Sequence, residues 1–323
     1  MANLGKFTDP ISHVIGGSKF SSPIVFGAFP HQGMVHKDAE KASALAAAQL
    51  NQLYVLSSES TASIEDVVKA TKGHGLKYFE LDARLPEPVR KDLVDRVAVH
   101  PCFKGIIINA QYLSGRVTEN EWKNDFAIPP HLVAGNLIKY KDSYGNSHDL
   151  RNSYGLLSNR FGGMSLNDIT NMKAYLSGSR SDMKVIVKGI MCADDALAVL
   201  GNGADAVYVS NGSHLKAWSA PSTINVLKNI SLAVKSKYPH AEIYVDSGAR
   251  RGTDVMKFIA MGANAVFLNK SVMWGLNAGG VEGCKEIFDI MNEELKLAMA
   301  LTCCFSTSDI TEKQVIHMIK PRL

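Results

Sequence analysis

No stretch of this chain of 323 residues reaches the run of about 18 apolar residues that a membrane-spanning helix needs, so such a span is excluded. Cysteine is scarce. Cys102, Cys192, Cys284, Cys303 and Cys304 form no CxxC pair, and an odd number without a secretory leader reads as reduced thiols in an intracellular compartment. Cys/His spacing suited to zinc is missing. Charge of one sign is also missing: 35 basic residues face 31 acidic ones for a net +4. They are scattered without the basic stripe and interleaved aromatics that would make nucleic acid a partner. No tandem repeat is visible.

What is present is a chain 46% hydrophobic and 20% charged, rich enough in apolar residues for a sizeable core. Short β-branched or aromatic runs recur: PIVFG (23–27), LYVLS (53–57), YFELD (78–82), GIIIN (105–109), VIVKG (185–189), AVYVS (206–210), EIYVDS (242–247) and AVFLN (265–269). Helical patterns separate them, as in "DDALAVLGNGADA", where Asp194 and Asp195 open a helix and Gly201 or Gly203 stops it. Near-continuous apolar strands alternating with helices predict a parallel sheet covered by helices. Eight such units point to one domain over 1–323, a (β/α)8 TIM barrel, with a doubly wound open sheet as the alternative.

In such a barrel the carboxyl ends of the strands form the active face, which brings Ser57, Asp82, Asn109, Lys188, Ser210 and Asp246 together. Between the fourth and fifth strands lies a longer segment containing "KYKDSYGNSHDLRNSYG". Its Gly, Ser, Asn and Tyr content predicts a lid or mobile loop at about 115–165. At the other end, "VDSGARRGTDVMKFIAMGANAVFLNKSVMWG" spans the last two strands, where barrel enzymes commonly hold phosphate. Gly248 lets backbone approach an anion, and Arg250, Arg251 and Lys270 supply charge. An Arg-Arg pair is equally at home on a solvated helix start.

Four blocks sharpen this reading: "VKGIMCADDA", "VSN…APSTINVL", "VDSGARRGTDVMKFIAMGANAVF" and "ELKLAMALTCC". They resemble the VKG, SNHGG…APAT, DGGVRRGTDV and ELxLAMALxGC blocks of the FMN-dependent 2-hydroxy acid oxidases and dehydrogenases. Weaker similarity runs through "SSPIVFGAFPHQGMVH", "LSSESTASIEDV" and "NDFAIPPHL". The family's N-terminal helical segment, with its substrate-contacting tyrosine, has no counterpart. The resemblance implies FMN in the barrel mouth, with Lys188 as the flavin-contacting lysine whose charge favours a reduced anionic flavin. It implies flavin hydrogen bonds at Ser57 and Ser210, and ribityl and phosphate contacts at Asp246, Gly248 and Arg250. Asn269 and Lys270 replace the family's Gly-Arg, which keeps a cation but loses its bidentate fork. Glu80 replaces a glutamine and Asn109 a threonine at the ring, and a carboxylate there is expected to repel reduced flavin unless protonated or swung away. Weak or partial FMN binding follows.

The residues for 2-hydroxy acid chemistry are the ones that differ. Gly212 stands at the family's histidine base, Leu215 at its carboxylate-binding arginine and Trp218 at the aspartate that orients the loop. Asp82 replaces a tyrosine, Gln111 an aspartate, Thr118 a second arginine and Glu59 a pocket aromatic. Base, phenol and both carboxylate cations are lost together, which predicts a barrel without oxidase chemistry and with a binding, structural or assembly role. His214, Lys216 or Arg116 in shifted positions keep open an FMN oxidoreductase acting on an altered substrate. A metal-dependent hydrolase lacks a ligand set. The resemblance also implies a homo-oligomer, a tetramer of barrels. Pro321-Arg322-Leu323 differs at two positions from a Ser-Lys-Leu address and suggests the peroxisome, with the cytoplasm as the alternative.

Overall fold

The computed structural model describes residues 11–111, 123–125, 128–129, 131–140, 164–212 and 219–316. Most of the expected lid therefore lies outside the described residues, as do Arg116, Thr118, His214, Leu215, Lys216, Trp218 and the terminal Pro321-Arg322-Leu323.

A hairpin that the sequence reading missed comes first, with β1 (His13–Ile15) antiparallel to β2 (Ser18–Phe20). It caps the amino-terminal end of the barrel, where the Gly16 amide donates to Glu242 at 2.9 Å and Glu242 accepts from the Tyr244 hydroxyl at 2.6 Å. The eight expected strands follow as β3 (Ile24–Phe26), β4 (Tyr54–Ser57), β5 (Lys77–Asp82), β6 (Phe103–Asn109), β7 (Lys184–Ile190), β8 (Ala206–Val209), β9 (Glu242–Val245) and β10 (Ala265–Leu268). They pair in parallel in sequence order, and β10 closes on β3. The protein is a (β/α)8 barrel, not an open sheet. Strands β8 and β9 end one and two residues earlier than expected, which leaves Ser210, Asp246 and Ser247 on the loops.

Around the barrel run α1 (Ala39–Gln49), α2 (Ile64–Ala70), α3 (Glu87–Ala98), α4 (Leu166–Ser179), α5 (Ala193–Gly201), α6 (Thr223–Lys237), α7 (Gly252–Ala260) and α8 (Lys270–Leu301), the last broken at Gly279 and Gly280. Ser63 and Ser165 close reciprocal capping boxes with Asp66 and Asp168, which sets where α2 and α4 begin. In α5 the stop is Gly203 at φ +97°, while Gly201 stays helical. No described helix is long and apolar enough to cross a membrane.

Two layers of core result. Leu, Ile and Val on the outer strand faces pack against the helices, and Tyr78, Tyr208, Tyr244 and Phe267 fill the barrel itself. The Phe267 ring lies 4.5 Å from that of Tyr208 and 5.4 Å from that of Tyr244. This aromatic floor puts the polar strand ends above it, at the mouth.

Candidate functional site

Side chains from alternate barrel strands share a layer, so residues on β5, β7 and β9 meet over the mouth although those strands are not neighbours. Lys188 on β7 reaches Glu80 on β5, with Nζ 2.8 Å from Oε2, and stands 3.5 Å from Asp246 just beyond β9. All three are buried. Gly189 makes this geometry available: it sits at φ +110° in a register shift between β7 and β8, and a Cβ there would come 2.6 Å from Gln111 Cγ.

Every member of the cluster is further held. The Asn109 amide donates to Glu80 Oε1 at 2.9 Å. Tyr208 donates its hydroxyl to Asp246 Oδ2 at 3.1 Å and places its ring 5.0 Å from the Lys188 ammonium. Ser247 Oγ donates to Asp246 Oδ1 at 2.7 Å. Burial pushes the Lys188 ammonium down, but the Glu80 and Asp246 carboxylates outweigh it and hold the group above its ordinary value. Burial, reinforced by Asp246 and Glu80, raises the Tyr208 hydroxyl well above its own. The resemblance has Glu80 repel reduced flavin unless it is protonated or swung away; in the structure its carboxylate turns inward as the counter-ion of Lys188.

A second cluster fills the place where a substrate pocket was expected. Asp82 accepts from the Arg84 backbone at 2.8 Å and from Arg84 Nε at 3.0 Å, and Arg84 Nη2 lies 3.9 Å from Glu59. Asp82 and Arg84 are buried. Arg84 was not singled out in the sequence, although an arginine two residues beyond a strand-end aspartate was a usable signal. Gln111 Nε2 donates to the Ser210 carbonyl at 2.8 Å and ties the loops after β6 and β8 together. Gly212, which the resemblance sets at the base position, adopts φ +61° and brings no side chain to the mouth. Ser57 and Ser210 are buried at the rim, and Ser57 Oγ accepts from the Glu59 amide at 3.1 Å.

His31 was also missed. It lies on the loop after β3 with its amide bonded to the Glu59 carbonyl, at a left-handed φ of +54°, 8% exposed, and Nδ1 has no hydrogen-bond partner. Burial pushes its imidazole down to about 4. A non-glycine residue in that region is held there by its surroundings.

The loops after β9 and β10 are built differently. A cavity of about 780 Å³ is lined by Ser247, Gly248, Arg250, Asn269, Lys270 and Trp274, among others. Arg250 and Lys270 are exposed, and among the described residues neither side chain has an ion-pair partner, whereas Arg251 is engaged by Glu294 at 2.7 Å. A Cβ at Gly248 would meet nothing nearer than 3.9 Å, so the backbone there is open to a ligand. Asn269 Oδ1 is buried without a partner, which leaves it able to accept from a ligand hydroxyl. Ser247 sits at φ +67°, where the family block has glycine. Among the described residues no group of His, Cys, Asp and Glu is arranged to hold a metal ion.

Fold and mouth together define a parallel (β/α)8 barrel with a buried lysine on its fifth strand and a cation-lined cavity beyond its last two. The chain belongs to the FMN-dependent dehydrogenase family, whose model matches residues 8–317. It is 33% identical to glycolate oxidase 1 of Zea mays over 93% of this chain and 79% of that protein. It is also 33% identical to 2-hydroxyacid oxidase 1 of Homo sapiens, over 91% and 78%. A mandelate oxidase variant with a C4a-OH-FMN adduct superposes with a TM-score of 0.80 at 26% identity, covering 96% of this chain and 83% of that one.

Proposed function

We propose that this protein binds FMN weakly or partially, through the phosphate end of the barrel mouth, and does not oxidise 2-hydroxy acids. The donor set of the phosphate end fits the cofactor: Arg250 and Lys270 would hold the phosphate, the open backbone at Gly248 would admit it, and Asn269 would accept from the ribityl chain. FMN, when bound, supplies a two-electron acceptor. What this chain sets beside the ring is a lysine already neutralised by two carboxylates.

The observation that carries the proposal is this closed cluster together with Gly212 at the base position. Oxidation of a 2-hydroxy acid needs a base for its proton, cations for its carboxylate and a donor at the developing oxygen charge. Here Gly212 can take no proton, and the buried Arg84 is committed to Asp82. A single lost base costs about 10²- to 10⁴-fold. A role in binding or assembly, with several copies of the chain together, completes the reading.

The test is an FMN titration followed by anaerobic mixing with glycolate, lactate and longer 2-hydroxy acids. Expected are saturable binding and no bleaching of the flavin band. Rapid bleaching would establish instead an FMN oxidoreductase whose replacement groups lie elsewhere on the mouth. Absence of binding at millimolar FMN would remove the cofactor from the reading altogether.

A further inference from the structure

The family resemblance marks Glu80 only as a changed residue, but the geometry gives it a task. We infer that Glu80 is a positioning residue that disarms Lys188: it draws the ammonium into a closed ion cluster, so that a ligand seated in the mouth meets no free positive charge at the ring end. This rests on the proposal that the mouth takes FMN.

Three observations carry it. The Glu80–Lys188 contact is a direct 2.8 Å charge-assisted hydrogen bond between two buried groups, shorter than the 3.5 Å approach to Asp246, so Glu80 is the nearer partner. Its second oxygen is held by Asn109 at 2.9 Å, which fixes the carboxylate facing inward. Asp246, by contrast, is shared among Lys188, Tyr208 and Ser247. The groups facing Lys188 are thus Glu80 from β5, Tyr208 from β8 and Asp246 beyond β9. Two carboxylates against one ammonium leave the cluster at −1 when all three are ionised, which disfavours an electron-rich ring edge.

Replacing Glu80→Gln keeps the shape and an acceptor for the ammonium, and removes one negative charge. The cluster then sums to zero, and Lys188 has only the more distant carboxylate. FMN affinity should rise about tenfold, the scale expected for one charge changed near a partly screened ring. A residue acting through Lys188 makes a further demand: the gain must vanish when Lys188→Met is already present, because no ammonium remains to be released.

The experiment titrates FMN into the unmodified full-length protein, Glu80→Gln, Lys188→Met and the double variant, with thermal unfolding of each without FMN. A tenfold tighter Glu80→Gln whose gain is lost in the double variant supports the inference. An unchanged or weaker affinity in a Glu80→Gln protein of normal melting temperature overturns it, while the binding of FMN by the unmodified chain leaves the proposed function standing. A gain of equal size in both backgrounds also overturns it, since the carboxylate would then act directly on the flavin. If no variant binds FMN, the proposed function fails and the melting temperatures decide: non-additive effects of the two substitutions support Glu80 as the holder of Lys188, and additive ones overturn it.

Discussion

The two ends of the barrel mouth handle charge in opposite ways. At the ring end, Lys188, Glu80 and Asp246 satisfy one another with Asn109, Tyr208 and Ser247 around them, and Arg84 is paired with Asp82. At the phosphate end, Arg250 and Lys270 line a cavity of about 780 Å³ and have no ion-pair partner among the described residues. A group that must meet a ligand is left unsatisfied by the protein; a group that has become part of the core is not. The difference teaches where a ligand can still gain free energy and where a substitution would instead unfold the barrel.

The largest effect should come from cutting the ring-end cluster. Lys188→Met leaves Glu80 and Asp246 buried without their cation, and removal of one partner from a buried pair typically costs about 3–5 kcal/mol. Urea denaturation of the protein without FMN checks this through its midpoint. A loss below about 1 kcal/mol would mean that the carboxylates find water or other partners, and the contrast between the two ends would collapse.

The barrel was legible because eight short apolar runs, each ended by a polar residue or Gly, alternate with helical patterns, and it is their number and alternation rather than any single run that points to a closed parallel sheet. LYVLS and VIVKG became β4 and β7 almost to the residue. The hairpin β1–β2 was not legible: HVI and SKF are three residues each, too short for alternation to register. Site positions were legible as strand ends, yet the partner of each was not. Glu80 and Lys188 are 108 positions apart, and only closure of the barrel brings them together as an ion pair. His31 escaped because nothing local marks a loop residue as buried, and Arg84 because its spacing from Asp82, a usable signal for a pair, does not by itself mark that pair as buried.

His31 sharpens the comparison, since it is a buried group on the loop after β3 whose Nδ1 has no hydrogen-bond partner. Burial holds its imidazole at about 4, down from an ordinary 6.5. Between those values the unfolded chain binds a proton that the folded chain refuses. The stability tied to the neutral ring is therefore complete above pH 6.5 and lost as pH falls towards about 4, a total of about 3 kcal/mol. His31→Asn removes the titration and suits the left-handed backbone. Its unfolding free energy should fall less steeply from pH 7 to pH 4 than that of the unmodified protein, and parallel curves would show that His31 has access to solvent or an acid-stable partner.

The smallest effect belongs to the phosphate end and completes the contrast. The Arg250 side chain is exposed, and its backbone amide is held independently by Asp254 at 3.1 Å, so Arg250→Gln should leave the loop in place. Surface changes of this kind usually move stability by no more than about 0.5 kcal/mol. FMN affinity should nevertheless drop about tenfold, because one of two cations facing the phosphate is gone while Lys270 remains. Inorganic phosphate should compete with FMN in the unmodified protein and compete less well in the variant. Loss of stability without loss of binding would reverse the assignment, making Arg250 a structural residue and moving the ligand's anchor to the ring end.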